Sequence, residues 1–459
     1  MVDGTWRRWW RALITGGLAL TLLACASDSD DDAGGDGGDD SADASDSDAD
    51  PTPNPLKLGI VMVDYEAIKD FVDFHRGDQE ATAQVFVDWI NDNGGIGGRQ
   101  IEPVYRTFNP IPGQEPTALT TCTELTEDEG VFAVLGVLID FTGDAHLCIS
   151  RDHDTVLLTH ELEQAWIDEA PPGLLITPDY VLEEDAANLI TLLDEEGTLD
   201  GRTVAVLGET AGQARIDDVI VPGLEAIDAE LGTVGVLTLG GADTTAAQAQ
   251  MDSFEERWEE EGVDTFFIDG LTASALQWVE RIKDKFPDAL IIADASATIE
   301  QARSAQVAGQ DPNPYEGMLS VLGQLDTEVW EENETLAECV SVYEDATGET
   351  VAGPEEQEPD PDGRINQTWI AVRDFCGELL MFQQIAEAAG PELTVETWQD
   401  AVSGIGELTL PSIAAASICE GKYAAGDTAR IVEYDSSLGD TGNWVPVTDP
   451  TNVGGDKCG

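Results

Sequence analysis

Positive charge is what this chain has least of. Its 459 residues hold 21 lysines and arginines against 92 aspartates and glutamates, a formal net charge of −71. Only six of the 21 are lysines. A protein that neutralises phosphates needs a basic face, so nucleic-acid binding is excluded. Anionic membrane surfaces repel such a chain as well. The first 54 residues carry 12 of the acids and three of the arginines, which leaves 80 acids against 18 bases, or −62, on residues 55–459. The body is therefore acidic in its own right. Such a surface suits a salty medium, where screening acts within a few ångströms, and a halophilic source is the expected explanation. The charge speaks to solubility rather than to activity.

Groups that carry chemistry are also scarce. A nucleophilic cysteine would need a paired histidine, and none of the four (His75, His146, His153 and His160) is placed persuasively for that. The cysteines are too widely spaced for a compact zinc knuckle. Gly94-Gly95 and Gly240-Gly241-Ala242-Asp243 lack both the glycine spacing and the lysine of a phosphate loop. No catalytic constellation, cofactor motif or metal cluster emerges, and an enzyme is not the expected reading.

The N-terminus is more informative. Arg7, Arg8 and Arg11 precede the apolar run Ala12–Ala24. That run is short of the roughly 20 residues a spanning helix needs, so residues 1–24 read as an export signal. The run closes on Leu22-Leu23-Ala24-Cys25. A cysteine after a small residue and two leucines resembles the lipobox of bacterial-type lipoproteins, which implies lipidation of Cys25. Ala26 to Asn54 contains only Asp, Ser, Gly, Ala, Pro, Thr and Asn, with neither lysine nor arginine. Nothing in it buries apolar surface, so residues 25–54 read as a lipidated, disordered tether. A flexible chain of that length averages about 30 Å end to end and stretches to about 100 Å. Its aspartates lack the regular spacing and closing glutamate of a calcium loop.

From Pro55 onward, β-rich runs alternate with helical ones: Leu56–Val63, Gln79–Asn91, Ile101–Tyr105, Ala118–Glu127, Val131–Leu135, Asp144–Ser150 and Val156–Leu158. Pro103 marks its strand as an edge or a bulge. The rhythm restarts after Thr177-Pro178, with strands at Thr203–Leu207, Val234–Leu239, Thr265–Ile268 and Ala289–Ala293 and helices between them, one spanning Ile216–Leu231. Further helices are expected over Thr335–Asp345, Ile365–Ala389 and Val395–Val402. This is an α/β pattern of βαβ units in two domains. With Cys25 lipidated, six cysteines remain (Cys122, Cys148, Cys339, Cys376, Cys419 and Cys458), an even count that points to disulfides. Neighbours in sequence pair as 122–148, 339–376 and 419–458, one of fifteen possible arrangements.

Val87-Asp88-Trp89-Ile90-Asn91-Asp92-Asn93-Gly94-Gly95-Ile96-Gly97-Gly98-Arg99-Gln100-Ile101 reads physically as a helix stop, a turn plugged by Ile96 and entry into a strand. One strand and one helix into an exported lipoprotein, it resembles the signature of the type 1 periplasmic binding proteins of the branched-chain amino acid class. Leu58-Gly59-Ile60, Leu135-Gly136, Gly201-Arg202-Thr203-Val204-Ala205-Val206-Leu207 and the helix ending at Ala388-Ala389-Gly390 resemble other parts of that family. The resemblance covers nearly all of Pro55 to Gly459. It implies two Rossmann-like lobes joined by three crossovers, expected near 177, 317 and 410. Residues 55–177 with 318–410 would form one lobe and 178–317 with 411–459 the other. A small ligand would sit in the cleft between them, delivered to an ABC permease, with no cofactor. It also supports the Cys122–Cys148 pair. The alternative is a ligand-sensing lipoprotein of the same fold without a transport partner.

In such folds ligands meet loops at the carboxyl ends of strands. Asp64, Tyr65, Asp140, Phe141, Thr142, His160 and Glu161 qualify in the first lobe, together with the stretch His75-Arg76-Gly77-Asp78. Glu209, Gln213, Asp269 and Asp294 qualify in the second. Amino-acid binders usually offer small hydroxyl residues after the third strand, whereas this chain has Ile139-Asp140-Phe141. An aspartate there repels a carboxylate at close range. An amine, amide, polyol or aromatic ligand is therefore expected in place of a plain branched-chain amino acid, with Phe141 or Tyr65 as a stacking surface.

Overall fold

Apolar residues two apart along Leu56–Val63 (β1) create the first layer. Leu56, Leu58, Ile60 and Met62 enter one core cluster, and Val61 and Val63 enter another. A strand buried on both faces belongs inside a parallel sheet covered by helices. In this computed structural model β1 pairs in parallel with β2 (Ile101–Phe108) and β3 (Ala133–Gly136), and the sheet continues through β4 (Val156–Leu158) and β5 (Leu175–Ile176). The order is β2-β1-β3-β4-β5. Pro103 lies in β2, the edge strand, where a missing N–H is tolerated. The structure describes residues 55–458 apart from 70–73, 110–114, 139–142, 161, 239–244, 270–272, 294–298, 300–301, 304, 307–312, 358–362 and 440. The export signal, Cys25 and the tether lie outside the described residues.

Helix α1 (Gln79–Asp92) packs on this sheet through Ala83, Phe86, Val87 and Ile90, and the Asp78 side chain caps it by accepting from the Ala81 N–H at 3.0 Å. The helix stop works as the sequence implies. Gly94, Gly95, Gly97 and Gly98 all take positive φ, and Ile96 is only 3% exposed. The Asn91 amide closes the turn by bonding both the N–H and the carbonyl of Ile101.

The second sheet repeats the scheme with β6 (Thr203–Glu209), β7 (Gly235–Leu237), β8 (Thr265–Asp269), β9 (Leu290–Ala293) and β10 (Leu319–Leu322). Two late strands extend the sheet, β11 (Thr428–Asp435) antiparallel to β10 and β12 (Asn443–Pro446) antiparallel to β11, giving β12-β11-β10-β9-β8-β6-β7. Ala205 and Leu207 face the cluster around Trp258 and Trp278, while Val204 and Val206 face α2 (Leu182–Glu195) through Leu189 and Leu193. The helix expected over Ile216–Leu231 ends earlier, at Ala226. Asp228 takes φ 58°, and Glu230–Leu231 forms a short strand beside β6. Likewise Ile365–Asn366 precedes α3 (Thr368–Ala389) as a strand paired with Phe74–His75. Disulfides join Cys122 to Cys148, Cys339 to Cys376 and Cys419 to Cys458, the sequence-neighbour pairing. No helix among the described residues is long and apolar enough to cross a membrane.

Among the described residues the chain passes between the two sheets three times. The first passage follows β5. The second comes after β10, at Gly323–Leu325, because Leu319–Leu322 is hydrogen-bonded into the second sheet. The third comes at Ala424–Thr428, later than position 410, because Leu408, Leu410, Ile413, Ala416 and Ile418 all pack in a core of the first sheet. Thr177 and Ala424 pair in parallel, with Ala425 N–H donating to the Thr177 carbonyl at 3.0 Å and Gly426 N–H to that of Asp179 at 3.0 Å. All three passages meet at Tyr180. Its hydroxyl donates to the Thr428 carbonyl and accepts from the Thr428 N–H. A β-carbon at Gly426 would overlap its ring, and one at Gly323 would sit 2.7 Å from its oxygen.

Candidate functional site

Strand order dictates where a crevice opens. In the first sheet the order reverses between β1 and β3, and in the second between β6 and β8. Loops leaving the carboxyl ends of such strands diverge, and ligands bind in the gap. Asp64 and Tyr65 follow β1, while Glu209 and Asp269 are the last residues of β6 and β8. Asp140, Phe141, Thr142, Glu161 and Asp294 lie outside the described residues.

At the first lobe, Asp64 turns its carboxylate back on the chain and accepts from the Ala67 N–H at 2.9 Å. The half-buried Tyr65 ring lies 5.4 Å from the Phe74 ring, and the Arg76 guanidinium is 5.6 Å from the Tyr65 centroid. Arg76 Nη1 donates to Asp374 Oδ2 at 3.1 Å. The other oxygen of Asp374 accepts from Arg373 Nε at 2.9 Å, and Arg373 also reaches Asp326 at 3.3 Å. Burial works against the Asp374 charge, but Arg373, His160 and Arg76 outweigh it and hold the carboxyl below its usual range.

His160, just past β4, joins the same group of charges. Its Nδ1 pairs with Asp179 in the first passage. Its Nε2 stands 3.1 Å from Glu378 Oε1, although the two are not aligned for a hydrogen bond. Burial would lower the imidazole pKa, yet Asp179 and Glu378 raise it well above the ordinary histidine value. Glu378 is 1% exposed, and among the described residues neither of its oxygens has a hydrogen-bond partner. Burial raises its pKa against the pull of His160.

At the second lobe, Asp269 is held by Arg215 through two parallel bonds, Nε to Oδ1 at 2.7 Å and Nη2 to Oδ2 at 3.2 Å. Both side chains are buried, which makes this a bidentate pair shielded from water. Arg215 Nη1 also reaches Glu163 Oε1 of the first lobe at 3.4 Å. Glu209 is buried as well. Gln213 is bonded to Asp217 at 2.9 Å on the surface.

Of the expected residues, Tyr65, His160 and Asp269 have defined partners and Glu209 is buried. The residues that organise them (Asp179, Arg215, Arg373, Asp374 and Glu378) were not singled out in the sequence. They come from helices or connections remote in sequence, and only the Arg76 stretch was marked by its place before a helix. The one group of neighbouring metal-ligating side chains among the described residues is Cys122, Cys148 and His153, and both sulfurs are spent in a disulfide.

No family model matches the sequence, and no curated protein sequence matches it. Solved structures do. A solute-binding protein of an ABC transporter from R. palustris, in complex with 4-hydroxybenzoate, superposes with a TM-score of 0.62 at 14% identity, over 87% of this chain and 97% of its own. A fatty acid ABC transporter substrate-binding protein from Thermomonospora curvata gives 0.60 at 16% identity, over 88% and 94%. A leucine-, isoleucine-, valine-, threonine- and alanine-binding protein from Brucella ovis, in closed conformation, gives 0.59 at 13%, over 88% and 96%. With its two parallel-stranded lobes and their order reversals, the chain has the fold of the type 1 periplasmic binding proteins of ABC transporters.

Proposed function

We propose that the protein is an extracytoplasmic solute-binding lipoprotein that captures a small polar or amino-acid-like ligand between its lobes and delivers it to an ABC importer. The observation that carries this reading is the meeting of three chain passages at Tyr180. Two lobes joined by paired strands at one point are built to hinge, and their order reversals supply the two halves of a clamp. Lipid on Cys25 and the acidic tether would keep the clamp near its permease. No step of this function needs catalysis.

The ligand contacts belong to Asp64, Tyr65, Asp140, Phe141, Thr142, His160 and Glu161 in one lobe and to Glu209, Gln213 and Asp294 in the other. Asp269 is assigned to holding Arg215, since both of its oxygens are engaged. Proteins of this fold bind 4-hydroxybenzoate, fatty acids and branched amino acids, so the fold leaves the ligand open and the side chains must choose. Asp140 argues against a plain amino-acid carboxylate beside β3. A thermal-shift screen of amino acids, amides, amines and aromatic acids, run in molar salt, tests the reading. A compound at 100 times its dissociation constant stabilises the protein by about 2.7 kcal/mol. A screen without a single stabilising compound, or one whose hit is turned over to product, contradicts the proposal. Replacing Cys25 by alanine is expected to release the protein from membranes into the soluble fraction, and retention there would contradict the lipid anchor.

A further inference from the structure

Besides the three passages, the C-terminal segment links the two lobes covalently. Thr451–Asn452 runs antiparallel to the start of β11, and Val453 packs against the second-lobe core that holds Leu189 and Leu193 of α2. Five residues further on, Cys458 is bonded to Cys419. Cys419 belongs to the first lobe. It follows Ala416–Ile418, which pairs with Gly406–Leu408, and the next N–H, of Glu420, donates to the Ser403 carbonyl at 3.2 Å. The segment therefore starts on one lobe and ends on the other.

It lies along the third passage. The N–H groups of Val453 and Gly454 both donate to the Asp427 carbonyl, at 2.8 and 3.2 Å. The Gly455 N–H donates to the Asn452 side chain and the Lys457 N–H to the Gly454 carbonyl, each at 3.0 Å, so the segment is a bonded turn. A β-carbon on Gly454 would sit 2.7 Å from the Gly426 carbonyl oxygen and 2.9 Å from Lys422 Cε, so glycine is what lets it lie this close. Lys422 grips the same passage from the first lobe. Its buried ammonium donates to the carbonyls of Ser417 and Ala424 at 2.6 Å each and pairs with Asp427 at 3.1 Å. Ser417 Oγ donates to that carboxylate at 2.9 Å. Lys457 reaches Glu184 of α2 at 2.8 Å. Two of the six lysines are thus spent on one connection between lobes.

We propose that residues 453–458, closed by the Cys419–Cys458 disulfide, brace the third passage and limit how far the two lobes swing apart. This rests on the reading of the protein as a two-lobed clamp and deepens it. Five residues reach at most about 17 Å when fully extended, and the bonded turn holds them shorter than that. Swinging the lobes past this reach requires breaking the turn, its bonds to Asp427 or the disulfide itself. A ligand-free clamp held short of full opening has fewer shapes to lose when it closes, which leaves more of the contact energy for affinity.

The test is small-angle X-ray scattering of the ligand-free full chain in molar salt, with the natural protein as reference. Cys419→Ser combined with Cys458→Ser removes the bond and is expected to raise the radius of gyration and broaden the distribution of interatomic distances. Cys339→Ser combined with Cys376→Ser removes a disulfide inside the first lobe. It should lower the melting temperature without that shift in shape, which separates a brace from a general loss of stability. Inserting five glycine and serine residues after Gly454 keeps every disulfide but about doubles the reach of the segment, and it should shift the scattering in the same direction as cutting the bond. Should the Cys419/Cys458 variant fail to fold, the lengthened chain decides the matter. If that variant, folded, or the lengthened chain scatters like the natural protein, or if the Cys339/Cys376 variant shifts as far, the brace is wrong. These samples hold no ligand, so such a result leaves solute binding to be judged by the thermal-shift screen alone.

Discussion

Asp269 shows how far position alone reaches at the scale of a residue. Its place at the end of a strand marks it as a candidate in the sequence, and the structure gives its carboxylate to Arg215, 54 residues away. No sequence pattern links the two. They meet because β8 lies beside β6 and the helical turn after β6 folds back over it. The pair is buried, so Arg215→Gln is expected to cost about 3–5 kcal/mol in denaturant unfolding, since it leaves a carboxylate without its counter-charge. Changing both residues together to apolar ones should recover much of that loss, and equal losses for the single and double variants would contradict the account. His160 gives a pH signature. It holds its proton more tightly when folded, because Asp179 and Glu378 face it. Its stabilisation is therefore complete below about pH 6.5, the unfolded value, and is lost as pH rises through the folded pKa, well above that. Asp374 acts oppositely. Arg373 and Arg76 depress it, so its contribution is complete above about pH 3.9 and is lost on acidification. His160→Gln should flatten the alkaline limb of a melting-temperature profile and leave the acid limb in place.

Elements were the most legible scale. The motif ending at Gly98 dictated a helix, a turn and a strand, because its glycines tolerate the positive φ that the turn needs and the Asn91 side chain ties the turn to Ile101. β1, β3, β4, β6, β8 and β9 were readable because each is buried on both faces, whereas β5, β10, β11 and β12 carried no such expectation. Where the reading missed, a local breaker outweighed the periodicity, as Asp228 does at the end of its helix. Gly136 ends β3 at φ 118°, where a β-carbon would overlap the Val61 carbonyl of β1. Gly136→Ala is therefore expected to cost at least about 2 kcal/mol and to shift the loop that follows. The disulfides were legible only as a count with a favoured pairing. Cys339–Cys376 clamps two first-lobe helices across 37 residues, and removing it should cost about 2–5 kcal/mol, measured as the loss of unfolding free energy.

The whole molecule is where the sequence was least explicit. Alternating strands and helices announced two α/β lobes, but the third passage was placed too early, since Leu408–Ile418 looks no different from second-lobe sequence until it is seen packed with β1 and α3. Tyr180 gave no signal at all. Its role depends on two glycines, Gly323 and Gly426, that only the fold brings to it. Tyr180→Phe keeps the ring but removes both bonds to Thr428, so it should leave the cores intact and loosen the junction between lobes. The ligand-free protein should then show a wider spread of shapes in solution scattering, with a melting temperature only a few degrees lower. The central claim is that these lobes close on a small solute. Small-angle X-ray scattering during titration with the compound that stabilises the protein most tests it directly. Closure predicts a radius of gyration that falls in step with occupancy and levels off at saturation, whereas saturable binding with no change in the scattering curve would contradict a clamp.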